Sequence, residues 1–312
     1  MSPTTNLDSI KKPIKKTKAY KAIGKNINYR SVKGYPNTQN IAVNLAAQVF
    51  LAEEYVRRGL PQEFAKTAES NPAQILLYAA KKVERELTPC YWLASELSES
   101  LKVTDIPDNW SGLKPFVNRG IFLLPKNCLE YSEFGENEGI DWLYFEVLTA
   151  LENLNISKFS PGDTTILWCS SSERLSIFYG TIDLHSQDNS LAIEGQHSKD
   201  YKELVEQVNK LLLNTMLVLN YKPDLLEIGE SESLGVGFGN LGKLPSSVPR
   251  NPVWIGKSYS GVKEYLQREK KLVRDPRAHI RRGHWARRRH GTKEDWQYQW
   301  HWIEPTLVNY VE

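Results

Sequence analysis

The sequence predicts an α+β fold with a helical N-terminal part, a mixed central part and a C-terminal antiparallel hairpin. Three patterns support this prediction. Apolar residues recur every three to four positions across residues 38–58, which is the spacing of an amphipathic helix. Two β-rich apolar runs, residues 164–169 and 175–184, flank a short polar segment. Aromatic and polar residues then alternate strictly over residues 296–302, as in a strand with one aromatic face.

The N-terminal part begins with a lysine-rich stretch, residues 1–35, that has little periodic apolar content. We therefore expect a disordered basic arm there. Residues 38–58 form the first predicted helix. Proline is favoured in the first turn of a helix, so Pro61 and Asn71-Pro72 predict two more helix starts, the second helix running to Glu86. Residues 90–101 are expected to form a further short helix.

The central part alternates short strands with helices. Residues 120–124 (GIFLL) predict a buried strand that Pro125 ends. Residues 141–154 are predicted to be helical, because apolar side chains recur there at helical spacing, at Leu143, Val147, Leu148 and Leu151. The remaining predicted elements are a hairpin, a long apolar helix, a Gly/Ser/Pro-rich loop, a short strand and a charged helix, at residues 164–184, 199–219, 229–252, 253–255 and 258–271.

These elements predict four parts along the chain. They are a disordered basic arm, an α+β body, a Gly/Ser/Pro loop or linker, and a basic C-terminal module, at residues 1–35, 36–228, 229–252 and 253–312.

Length and composition exclude several classes of protein. The chain has 312 residues, of which 40% are hydrophobic, so it can bury a sizeable core. No apolar run approaches the ~18 residues of a membrane span, and no secretory signal is evident, so we expect no membrane partner. Three widely spaced cysteines, Cys90, Cys128 and Cys169, suggest core thiols in a reducing cytoplasm.

The net charge of +3 conceals a segregation of charge along the chain. Residues 1–35 contain nine Lys or Arg and one Asp, and residues 263–291 contain eleven Lys or Arg and three acidic residues. Residues 36–262 contain 19 basic and 29 acidic residues. Clusters of like charge repel one another and usually mark a partner of opposite sign. The two basic segments therefore indicate either a polyanionic partner such as nucleic acid or neutralisation by the acidic body.

Motifs for cofactor, metal or nucleophilic chemistry are weak. Residues 237–242 match G-x-G-x-x-G, but no helix can start directly after them, so we expect no dinucleotide. Four histidines lie in the last 34 residues without metal-ligand spacing, and we expect neither metal nor cofactor. A hydrolytic site with His284 as base, oriented by Glu304 or Asp295, has no accompanying nucleophile or carboxylate cluster.

The most informative segment is residues 277–305, where an arginine- and histidine-rich stretch precedes the aromatic strand. We expect the two stretches to pair through a polar turn at residues 291–295, with the aromatic side chains on a core-facing side and the guanidinium groups on the other. Arginine binds phosphate through bidentate hydrogen bonds. The predicted RNA- or partner-binding residues are His279, Arg281, Arg282, His284, Trp285, Arg287, Arg288 and Arg289. The predicted structural residues are Gly283, Gly291, Trp300, Trp302 and Pro305.

The same segment resembles a known family. The string His279-Ile280-Arg281-Arg282-Gly283-His284-Trp285, followed by Trp300-x-Trp302-x-x-Pro305 and Val308-Asn309, is similar to the C-terminal module of the second class of type V-A anti-CRISPR proteins. The specific match covers about 35 residues. Residues 286–289 (ARRR) are more basic than the aromatic positions of the family pattern.

The resemblance implies an inhibitor rather than an enzyme. Such a protein lowers the level of the RNA-guided nuclease by recognising its nascent N-terminal peptide and triggering loss of its mRNA during translation. Expected partners are therefore RNA or the ribosome and a nascent peptide. Two other functions remain open from the residues alone, namely an RNA-cleaving nuclease and a DNA-binding regulator.

Overall fold

A mixed β-sheet with helices on both faces organises the computed structural model of this chain. The structure describes residues 13–27, 31–57, 72–107, 110, 113–133, 136–149, 164–172, 177–184, 199–228, 252–259, 279–292 and 295–308. Within them, helices α1 to α5 span Lys18–Ile27, Thr38–Arg57, Pro72–Arg85, Ser95–Lys102 and Lys199–Tyr221. Strands β1 to β13 span Cys90–Leu93, Arg119–Leu123, Leu129–Glu133, Glu136–Ile140, Trp142–Thr149, Thr164–Ser171, Ile177–Asp183, Leu226–Ile228, Val253–Ile255, His279–Arg281, His284–Gly291, Trp296–Ile303 and Thr306–Val308.

The main sheet has the strand order β7-β6-β5-β2-β1-β9-β8. Strand β1 lies near its middle and runs parallel to both neighbours, β2 and β9. The other pairings in this sheet are antiparallel. The strand pairs β3–β4, β10–β13 and β11–β12 are separate two-stranded ribbons.

Alternating side chains of the sheet contribute to two different cores. In β1, Tyr91 and Leu93 point into a core shared with α4, α5 and the base of the β11–β12 hairpin. Cys90 and Trp92 point into a second core shared with α1, α2 and α3. A sheet covered on both faces requires apolar residues at successive positions, which explains short continuous apolar strands such as CYWL.

The α+β class is confirmed, as are many of the predicted elements. The predicted helices at 38–58 and 72–86 correspond to α2 and α3, and the long apolar helix corresponds to α5. The predicted strand at 120–124 and the predicted hairpin at 164–184 correspond to β2 and to β6–β7. The three cysteines are free and buried, as predicted.

The predicted helix at residues 141–154 is wrong. Residues 142–149 form strand β5, between β2 and β6. Trp142 and Tyr144 point into one core and Leu143 and Phe145 into the other, so burial on both faces produced a continuous apolar run that imitates helical spacing. Residues 90–101 likewise begin with strand β1, and their helix starts only at Ser95.

The expectation of disorder is wrong for part of the basic arm. Residues 18–27 form helix α1, and Thr17 caps it by accepting a hydrogen bond from the Tyr20 amide at 3.1 Å. Ile14, Ile23 and Ile27 are almost fully buried against α2 and α3. Within the helix, Ala19, Ile23 and Ile27 lie four positions apart and form a packing face that the lysine-rich composition concealed. The four-part division of the chain stays a prediction.

Other predictions fall outside the described residues. These are the helix starting at Pro61, the loop at 229–252 with its glycine motif at 237–242, and the charged helix at 258–271 beyond residue 259. The helices that the structure describes include none with the length and apolarity needed to cross a membrane.

Candidate functional site

The predicted pairing of the two C-terminal stretches is confirmed. Strand β11 pairs antiparallel with β12 over eight residue pairs, from His284 opposite Ile303 to Gly291 opposite Trp296. Gly291 adopts φ = +118° at the turn, a conformation that other residues rarely take. Eight paired residues make a ribbon about 27 Å long. We call this ribbon, residues 284–303, the C-terminal hairpin.

The sequence predicts the arginines and the aromatic residues on opposite faces of this hairpin, and that prediction is wrong for Arg287 and Arg289. Directly paired residues of an antiparallel ribbon share a face. Arg287 pairs with Trp300 and its guanidinium lies over that ring at 4.9 Å. Arg289 lies over the Trp296 ring at 4.3 Å. One face, which we call the cation–aromatic face, therefore contains Trp285, Arg287, Arg289, Trp296, Tyr298, Trp300 and Trp302.

Burial falls along this face from the base of the hairpin to its tip. Trp302 is 2% exposed, whereas Trp296 is 40% exposed and Tyr298 is 58% exposed. Trp300 is half-buried. The prediction that the aromatic ladder lies in the core is therefore right at its base and wrong at its tip. Trp296 and Tyr298 contact each other edge-on, with ring centroids 5.1 Å apart.

The base of the hairpin is anchored to α5 and to Thr104, just after α4, by buried indole hydrogen bonds. Trp285 donates from Nε1 to Asn214 Oδ1 at 2.9 Å, and Trp302 donates to Thr104 Oγ1 at 3.2 Å. The Asn214 amide also donates to the carbonyls of Leu101 and Thr104, at 3.1 and 2.9 Å. Trp285, which the sequence predicts to bind RNA or a partner, is 7% exposed and packs within this anchor.

Gly283 and Pro305, which the sequence predicts to be structural residues, lie where the hairpin meets the body. Gly283 forms a β-bridge with Thr104, and its carbonyl accepts a hydrogen bond from the Asp105 amide at 2.8 Å. A Cβ at position 283 would collide with the Thr104 hydroxyl and would lie 3.0 Å from Pro305 Cδ. Only glycine leaves room for this approach.

The carboxylate of Glu304 belongs to the same anchor. It accepts hydrogen bonds from Lys222 Nζ at 2.7 Å and from the Tyr259 hydroxyl at 3.1 Å. The Lys222 ammonium also lies 5.1 Å from the Trp302 ring centre. Among the described residues, His284 has no hydrogen bond to Glu304 or Asp295, so the hydrolytic arrangement considered from the sequence does not form.

The remaining predicted binding residues lie around the hairpin. Arg288 is exposed on the face opposite Trp300, beside a depression of about 260 Å³ lined by His290, Asp295, Gln297, Tyr298 and Gln299. Arg281 is exposed, and Arg282 lies 3.9 Å from Asp105 with its side chain largely in solvent. His279 pairs through its backbone with Val308.

Two of the buried thiols are held in their protonated form. Burial raises the pKa of the Cys90 thiol to about 12, and burial with the nearby Glu146 raises the pKa of Cys169. Both thiols therefore stay protonated and unreactive. In the part of the chain that the structure describes, no three His, Cys, Asp or Glu side chains are arranged to hold a metal ion.

Asn214 and Thr104 are the main residues of the anchor that sequence reasoning missed. One signal was present: Asn209 and Asn214 interrupt an otherwise apolar part of α5. A buried amide needs hydrogen-bond partners, and tryptophan supplies a donor. Asn209 accepts a hydrogen bond from Trp168 at 2.5 Å in the same way.

Comparison with known proteins identifies a family. The model of the AcrVA2-like family, described as "Anti-CRISPR type V subtype A2 family", matches residues 91–310. A solved structure entitled "Crystal structure of AcrVA2" aligns with 98% of this chain and 95% of its own, at 17% identity and a TM-score of 0.39. No curated protein sequence matches the chain.

Proposed function

The chain belongs to the anti-CRISPR type V subtype A2 family, and from this premise we propose that it represses a type V CRISPR effector nuclease. In this proposal, the chain recognises the nascent N-terminal peptide of its target and promotes loss of the target mRNA. The C-terminal hairpin contacts RNA or the ribosome during this process.

The observation that supports the RNA contact is the cation–aromatic face of the hairpin. Within the described residues, Arg287 and Arg289 have no carboxylate partner and are held over aromatic rings. Guanidinium groups held in this way keep their N–H edges available for phosphate oxygens. The exposed rings of Trp296 and Tyr298 offer stacking surfaces for unpaired bases.

The anchor supports the same proposal, because it attaches the hairpin to the rest of the protein. Trp285, Trp302 and Gly283 hold the base of the hairpin against α4 and α5. A ribbon of two strands is only marginally stable in isolation, and this docking fixes its exposed tip in one orientation. The nascent-peptide part of the proposal is based on the resemblance of residues 279–309 to the family and not on a described contact.

A frameshift experiment in cells tests the proposed function. Two effector genes are compared, one with its natural first codons and one in which a single-base insertion and a later compensating deletion change the encoded peptide but barely change the mRNA. We expect expression of this chain to lower the first mRNA severalfold and to leave the second unchanged, as measured by quantitative reverse-transcription PCR.

Two outcomes would contradict the proposal. Equal loss of both mRNAs would mean that the chain recognises the RNA itself rather than the peptide. An unchanged mRNA with reduced nuclease activity would mean that the chain inhibits the effector protein directly.

A further inference from the structure

Helix α1 presents a row of lysines that the proposed function does not use. Lys18, Lys21 and Lys25 lie on one side of the helix, because positions i, i+3 and i+7 share a face. All three are exposed, and so are Lys15 and Lys16 just before the helix. The opposite side, with Ala19, Ile23 and Ile27, is buried against α2 and α3. We call Lys15, Lys16, Lys18, Lys21 and Lys25 the lysine row.

The described residues provide no carboxylate partner for the lysine row. The ion pairs of α3, which packs beside α1, are made by its own Lys81 and Lys82, with Glu53, Glu84 and Glu146. The first turn of α1 also has no acidic residue. Five like charges within about three helical turns repel one another, and that repulsion is relieved when an anion binds.

We propose that the lysine row is a second binding site, which takes the phosphate backbone of a nucleic acid without regard to sequence. Lysine ammonium groups act as mobile point charges that neutralise phosphates but do not recognise base edges. Lys18 and Lys25 lie about 10 Å apart along the helix axis, so the row follows an extended anionic strand rather than one small anion. Insertion into a membrane surface would require the apolar side of α1, which the protein core already covers.

This site is separate from the C-terminal hairpin. Helix α1 packs on the sheet face that carries Trp92 and Tyr144, whereas the hairpin base packs on the face that carries Tyr91 and Phe145. The main sheet lies between them. Helix α1 also precedes residues 91–310, which match the family. The proposal therefore goes beyond the proposed function and does not depend on it.

A salt-dependent binding measurement tests the site on the full chain. Fluorescence anisotropy is recorded with labelled poly(U) RNA and with a labelled DNA duplex. The variant K18Q/K21Q/K25Q removes three charges while keeping side chains of similar helix propensity, and K114Q/K199Q/K202Q removes three exposed lysines elsewhere. Circular dichroism verifies that both variants keep the wild-type helix content.

We expect K18Q/K21Q/K25Q to bind at least one of the two probes about tenfold more weakly than wild type. On a single strand its slope of log affinity against log salt should be shallower by about 2, corresponding to three lost phosphate contacts. Weakening for poly(U) alone would identify single-stranded RNA as the ligand, and weakening for both probes a general phosphate site. Wild-type affinity in this variant, or the same weakening in K114Q/K199Q/K202Q, would overturn the proposal. The proposal would also be overturned if binding to anionic lipid vesicles depends on the lysine row while binding to both nucleic acids does not.

Discussion

Gly283 shows how a single position fixes the C-terminal hairpin to the body. Its backbone lies against Thr104 and Pro305 so closely that a methyl group has no space. The neighbouring Thr104 is itself fixed, since its hydroxyl donates to the Ser100 carbonyl at 2.7 Å and accepts from Trp302. The contact cannot relax by rotating a surface side chain.

We therefore expect Gly283→Ala to lower the free energy of unfolding by about 1–3 kcal/mol, as overpacking in a fixed site does. Urea denaturation followed by tryptophan fluorescence measures this. Gly139→Ala is the matched control, because its Cβ would meet its nearest neighbour, Asp141 Oδ1, at an ordinary 3.5 Å. Equal stability of the two variants would show that the region around Gly283 is not tightly packed.

At this scale the sequence indicated some residues of the anchor but not others, for a clear reason. The structural assignments of Gly283, Trp302 and Pro305 fit the anchor. The sequence groups Trp285 with the arginines beside it. Its hydrogen-bond partner, Asn214, lies 71 positions away in the chain. Local pattern cannot reveal a contact of that separation.

Among the elements, strands with a clear end signal or alternating burial were predicted well. Strand β2 is buried on both faces but ends just before Pro125, and strand β7 keeps the alternation of a half-buried strand. Strand β5 packs against both cores, so its sequence has no alternation to identify it. Helix α1 was missed for another reason. Its lysines dominate the composition of the segment and hide the four-residue spacing of its apolar residues.

The register of the C-terminal hairpin determines which side chains share a face. The pairing of Arg287 with Trp300 puts alternate arginines over aromatic rings, and a slip of one residue would move them to the other face. The sequence predicted the two strands and their turn but not this register.

We expect W296A/Y298A to weaken binding of poly(U) RNA by at least about tenfold, since stacking of a base on an aromatic ring contributes roughly 1–3 kcal/mol. Both side chains are exposed, and the anchor at Trp285 and Trp302 is unchanged, so the fold should persist. The control Q297A/Q299A alters the opposite face of β12 and should bind as wild type. Equal weakening in both variants would argue against stacking on the cation–aromatic face.

At the scale of the whole molecule, the acidic residues of the body do not neutralise the two basic segments in the part of the chain that the structure describes. The lysine row has no carboxylate partner there, and of the arginines at 281, 282, 287, 288 and 289 only Arg282 approaches one, Asp105 at 3.9 Å. The acids of the body pair instead with its own cations, as Glu146 does with Lys82 and Arg119. Two basic surfaces on opposite sides of one sheet favour an extended polyanionic partner over a small ligand.

We expect the exposed arginines of the C-terminal hairpin to be needed for repression. The most direct test is the amount of effector mRNA in cells that express wild type, R287Q/R288Q/R289Q or K114Q/K199Q/K202Q, with the protein levels matched by immunoblot. With the hairpin variant, the amount of effector mRNA should equal that in cells that do not express the chain. The lysine variant has the same change in charge and should lower the mRNA as wild type does. Full mRNA loss with R287Q/R288Q/R289Q would show that these arginines are not needed for repression.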